Sequence, residues 1–145
     1  MPLISACVTD LVDAGFRIRV EIARVAQFAG THPPFATNAL VDTGAAITVI
    51  GYEVAEKLEL TVKGTGAQLF GVTSSAPALR YDVSLRVPAL HVTIDPLVVL
   101  AGKLPTAPEW EPFRCVLGRD FLSRGGLVYL GDVATVSLGL GPATP

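Results

Sequence analysis

The chain has 145 residues, enough for one domain with a real core and too few for two. Half of the residues are hydrophobic and only 17% are charged, which leaves apolar surface for a second subunit and points to an oligomer. A net charge of −2 without a basic cluster excludes the electrostatic footprint of a nucleic-acid binder.

The opening Met-Pro-Leu-Ile-Ser-Ala has neither a basic region nor a long apolar stretch, so no signal peptide is expected. No run of about 18 apolar residues marks a membrane span, and the expected location is the cytoplasm. Cys7 and Cys115 lie in apolar contexts without metal-type spacing and read as buried structural thiols. His32 and His91 stand alone. Neither a zinc cluster nor a Ser/Cys-His pair can be assembled, and no metal or cofactor is expected.

In chain order, residues 3–8 form a short apolar run that predicts a terminal strand within a terminal region 1–15. Residues 16–22 alternate strictly, with Phe16, Ile18, Val20 and Ile22 on one face and charges on the other, as in a half-buried strand. Gly30-Thr31-His32-Pro33-Pro34 breaks the pattern as a turn. Ala39-Leu40-Val41 reads as a buried strand that stops at Asp42-Thr43-Gly44, and residues 45–50 return as an apolar run carrying one hydroxyl, Thr48. Residues 51–58 predict about two helical turns, with Val54 and Leu58 sharing a face.

Residues 61–75 and 79–87 read as the arms of a hairpin whose tip lies within 71–76, with Pro77 stiffening one arm. Residues 90–94 alternate again and place His91 with Thr93 on a polar face, while 96–100 form a more fully buried run. The Pro-rich stretch 101–114 around Trp110 reads as a surface loop. Cys115-Val116-Leu117 is a strand ending at Gly118, followed by a short helix with Phe121 and Leu122 inward. Gly125-Gly126 predicts a turn into a strand over 127–130, residues 132–138 add a last strand, and 139–145 read as a loose tail. The sum is an all-β single domain, 1–145, with one or two short helices.

Chemistry concentrates where the strand ends at Asp42. Gly44 lets the backbone turn back without a Cβ, so that its N–H can point at the Asp42 carboxylate, and Thr43 adds a group that both donates and accepts. On its own, a tripeptide such as Asp-Thr-Gly is more often an ordinary turn than a site, by about ten to one. The second motif, Val116-Leu117-Gly118-Arg119-Asp120-Phe121-Leu122, follows in the correct order across a β-rich middle. Together with Leu40-Val41-Asp42-Thr43-Gly44-Ala45, it resembles the retropepsin branch of the aspartic peptidases, over roughly residues 16 to 131.

The resemblance implies a closed β-barrel, the half-lobe of the acid proteases, with a flap hairpin. It implies that Asp42, Thr43 and Gly44 are catalytic and that Ala45, Ala46 and Ile47 contact substrate together with Gly71, Val72, Thr73 and Ser74 at the flap. The hairpin reads equally as an ordinary surface hairpin. Val116, Leu117 and Gly118 would run beside the catalytic loop, the missing Gly118 side chain leaving room for Asp42. The terminal strands would contribute to a subunit interface.

Metal-free hydrolysis of a peptide bond needs one group to deprotonate water and another to donate a proton. Two carboxylates about 3 Å apart divide these roles because both cannot ionise together. One chain holds one such loop, which implies a homodimer pairing Asp42 with its symmetry mate across a two-fold axis, acting on a polypeptide as an endopeptidase. The alternative is a retropepsin-like module that binds peptides or assembles without turnover. Where the viral enzymes place acids that pair with the arginine after the later glycine, this chain has Ala46 and Ile47. Arg119 therefore needs another partner, Asp120 or solvent, and the neighbouring subsite should be apolar.

Overall fold

Strand faces follow the alternation of apolar side chains. The computed structural model describes residues 3–7, 15–26, 33–68, 77–105, 112–133 and 135–141, with backbone alone for 3–7, 65–68, 77 and 131. The first strand, β1, spans Leu3–Cys7. In β2 (Arg17–Ala23), Ile18, Val20 and Ile22 point into the core with Phe16 just before them, as the period of two requires. Strands β3 (Phe35–Val41) and β4 (Val49–Gly51) flank the Asp42 loop. The apolar return after the loop is strand only from Val49, because residues 46 and 47 bend outward and are exposed.

Helix α1 (Tyr52–Lys57) buries Val54, and Leu58 at its C-cap packs beside the same core. Strands β5 (Gly64–Gln68) and β6 (Pro77–Val87) pair antiparallel as the hairpin arms, with Pro77 opposite Gln68. The tip, with Gly71, Val72, Thr73 and Ser74, lies outside the described residues.

His91 is not a strand residue. It caps the short 3-10 turn Pro88–Leu90 in a left-handed conformation, φ 53°, and this turn buries Leu90. The two apolar runs that follow form one strand, β7 (Val92–Gly102), in which Leu97, Val99 and Leu100 are buried but Val98 faces solvent. This strand and β8 (Phe113–Leu117) also absorb both ends of the expected 101–114 loop, and Trp110 lies outside the described residues.

Helix α2 (Arg119–Leu122) follows, with Phe121 fully buried and Leu122 against the core. Gly125 and Gly126 belong to β9 (Gly125–Leu130) rather than to a turn. A Cβ at Gly125 would lie 1.9 Å from the Gly139 carbonyl oxygen, so the close pairing with the next strand requires glycine here. That strand, β10 (Thr135–Leu140), starts after a 3-10 turn at Gly131–Val133 and extends past residue 138. Gly139 and Leu140 are therefore buried, not part of a loose tail.

Six strands close on themselves in the order β2-β3-β8-β4-β7-β6, with β2 pairing back to β6, and β5 is added outside β6. The Glu21–Arg86 ion pair spans the closing seam. A separate sheet, β1-β10-β9, packs Val136, Leu138 and Leu140 of its central strand onto the same core. Among the described residues, no helix is long and apolar enough to cross a membrane.

Candidate active site

Because β3 and β8 run parallel and side by side, their C-terminal ends emerge together, and this brings residues 42–48 against the start of α2. The Asp42 N–H donates to the Leu117 carbonyl at 3.0 Å, so the acid leaves the barrel with its backbone anchored to the neighbouring strand. Gly44 N–H then donates to Asp42 Oδ1 at 2.8 Å, the bond foreseen for this turn. Ala45 N–H closes the turn on the Asp42 carbonyl at 3.3 Å. Thr43 and Gly44 are exposed, and Asp42 is half-buried. The carboxylate is oriented from within and open toward solvent.

The segment beginning at Gly118 holds the far side of the loop. Arg119 N–H donates to the Ala45 carbonyl at 2.8 Å and Asp120 N–H to the Ala46 carbonyl at 3.2 Å. A Cβ at Gly118 would lie 2.8 Å from the Ile47 carbonyl carbon and 3.0 Å from the Ala45 oxygen. Its missing side chain therefore makes room for the backbone of residues 45–47, not for Asp42 itself. Leu117, which accepts the Asp42 N–H, is buried, and Val116 is half-buried.

Two further side chains shape the loop in ways that motif reading missed. Asp120 does not pair with Arg119. Its Oδ2 accepts the Thr48 N–H at 3.0 Å and its Oδ1 the Thr48 hydroxyl at 2.8 Å, while the same hydroxyl accepts the Gly118 N–H at 3.2 Å. Thr48 is fully buried, so these bonds satisfy groups that would otherwise be costly. The signal was present as a lone hydroxyl in an apolar run and an acid two residues after the later glycine. Arg119 Nη1 instead donates to the Thr43 carbonyl at 2.8 Å.

Cys115 lies beneath this network. Burial, reinforced by the Asp120 charge, pushes its thiol far above the usual range, so it offers no nucleophile. Ala46 and Ile47 are exposed at the mouth of the loop, Ile47 at 38%.

A closed six-stranded barrel, one Asp-Thr-Gly turn leaving it and a Gly-Arg-Asp segment bracing that turn have the architecture of the aspartic-protease fold. A sequence model of the family described as "gag-polyprotein putative aspartyl protease" matches residues 30–124, about two-thirds of the chain. The chain belongs to that retropepsin-like aspartic protease family.

Its fold is similar to a retropepsin-like aspartic protease from Rickettsia conorii, with a TM-score of 0.58 and 18% identity over 94% of this chain and 89% of that one. It is also similar to an aspartic proteinase from Irpex lacteus, with a TM-score of 0.54 and 15% identity over 95% of this chain but 46% of the other. No curated protein sequence matches the chain.

Proposed function

We propose that the protein is an aspartic endopeptidase that works as a homodimer, in which Asp42 of each subunit contributes one carboxylate of a proton-sharing pair. The observation that carries this reading is the Asp42 turn itself. Its carboxylate is oriented by the Gly44 N–H at 2.8 Å, braced from behind by Gly118–Asp120 and left open on the outer side. An acid pair with one shared proton supplies base and acid at once, and one loop alone supplies only half of it.

Two features support the dimer. This chain spans 46% of the Irpex lacteus proteinase, as one half of such a molecule would. Strand β9 lies at the edge of its sheet with Val128, Tyr129 and Leu130 exposed at 53%, 55% and 47%, an apolar edge suited to a second subunit. In this reading Thr43, exposed at the same end as Asp42, locks the two loops together across the axis.

Substrate would lie extended along Ala45, Ala46 and Ile47, pairing with the loop backbone. A water between the two carboxylates would attack the scissile carbonyl, one carboxylate taking its proton while the other protonates the carbonyl oxygen. With alanine and isoleucine at the loop mouth, the flanking subsites favour apolar side chains. Profiling with a peptide library that returned charged residues on both sides of the cut would refute that preference.

The test compares peptide cleavage by wild type and Asp42→Asn from acid to neutral pH, with the mass in solution followed in parallel. Cleavage confined to the wild-type dimer supports the enzyme. Peptide binding without cleavage by either protein identifies a non-catalytic peptide-binding module.

A further inference from the structure

We infer that Arg119 is a positioning residue that locks the Thr43–Gly44 peptide in the orientation Asp42 needs; this rests on the reading of Asp42 as the catalytic acid. The Thr43 carbonyl and the Gly44 N–H belong to one planar peptide group and point to opposite sides of it. Arg119 Nη1 holds the carbonyl end at 2.8 Å, and the N–H end donates to Asp42 Oδ1 at 2.8 Å. A rotation of this peptide would break both bonds together.

The lock is needed because the backbone bonds of Asp42 and Ala45 hold the ends of the turn and leave the Thr43–Gly44 peptide between them to turn about its own axis. Thr43 and Gly44 are exposed, and glycine on one side of the peptide lowers the barrier to rotation about it. A guanidinium on the carbonyl also polarises the peptide, which makes its N–H a stronger donor to the carboxylate. The residues that free Arg119 for this task are Ala46 and Ile47, neither of which carries an acid to compete for the guanidinium. Nor does Asp120 compete, since its carboxylate is engaged by Thr48 and by the Phe121 N–H at 2.8 Å.

Arg119→Met keeps the length and apolar stem of the side chain and removes its donors, while Arg119→Lys keeps one charged donor. In the methionine variant, amide hydrogen exchange at Gly44 should accelerate roughly tenfold, the size expected for loss of one charge-assisted hydrogen bond. The kcat for peptide cleavage, measured at subunit concentrations that keep the dimer formed, should fall about as far, with KM nearly unchanged, and lysine should recover part of both losses.

Gly44 exchange and kcat left within about twofold of wild type by the methionine substitution would overturn the lock. So would a kcat loss that disappears as subunit concentration rises, because that assigns Arg119 to subunit association. A wild type that cleaves nothing while Gly44 exchange still responds to Arg119 sinks the peptidase reading and leaves the lock standing.

Discussion

The Asp42 loop and strand β9 both face solvent, yet they are held very differently. The loop donates to the Leu117 carbonyl and the Asp120 carboxylate, accepts from Arg119 and the Asp120 N–H, and closes on itself through Gly44, so its shape is held within one chain. Among the described residues, strand β9 pairs on one edge, with β10, and carries Val128, Tyr129 and Leu130 in the open. In the proposed homodimer the braced loop would supply the chemistry and the apolar edge the contact with a second copy. Substitutions in the loop should therefore act on chemistry or on the stability of the chain, and substitutions on β9 should act through concentration.

The largest expected effect is that of Asp42→Asn. It should lower peptide cleavage by roughly 10³-fold or more while thermal unfolding stays near that of wild type, because the carboxylate's one side-chain hydrogen bond among the described residues comes from an exposed turn. Steady-state kinetics paired with a melting curve checks both halves of this. Next, Tyr129→Arg on β9 should leave chain stability within about 0.5 kcal/mol but cut activity in dilute solution by about tenfold. Activity recovering as protein is concentrated, with sedimentation showing weaker association, would confirm that β9 acts between subunits. A loss independent of concentration would erase the distinction between the two regions.

Stability effects belong to the brace. Gly118→Ala forces a Cβ against the backbone of residues 45–47 and should cost about 2 kcal/mol in denaturant unfolding. Asp120→Ala strips the buried Thr48 of its acceptor and should cost about 3 kcal/mol. The smallest effect is that of the Glu53–Arg114 ion pair. Burial alone would raise the Glu53 carboxyl pKa, but the hydrogen bond and charge of Arg114, with the Glu53 backbone N–H, outweigh it and hold the group below its usual value.

A depressed folded-state value means that the Glu53 contribution is fully present above the ordinary carboxylate value of 4.5 and is lost as pH falls through the lower folded value. Glu53→Gln should therefore destabilise at neutral pH by less than about 1 kcal/mol, given that the pair is partly exposed. Melting curves of the two proteins should converge as the solution is acidified.

Local pattern made much of this readable before any coordinates. The alternation over 16–22, the strand stopping at Asp42 and the Val-Leu-Gly segment each depend on neighbours in the chain, and each stands where it was expected. What was hidden depends on distant partners or on backbone geometry. The Arg119 and Thr43 pairing spans 76 positions, and nothing near Arg119 distinguishes a carbonyl partner from Asp120. His91 alternates correctly with its neighbours, but its left-handed backbone ends a 3-10 turn that apolar spacing does not encode. Gly125 looks like turn chemistry, and only the approach of Gly139 explains a glycine in a strand.

Mixing the two forms of the protein tests the shared-acid claim most directly. Wild type and Asp42→Asn subunits are combined in varying ratios at fixed total concentration, allowed to exchange, and assayed for peptide cleavage. If each active unit needs an intact Asp42 from both partners, activity falls as the square of the wild-type fraction. Activity falling in simple proportion to that fraction would mean that one chain suffices, and would contradict the account.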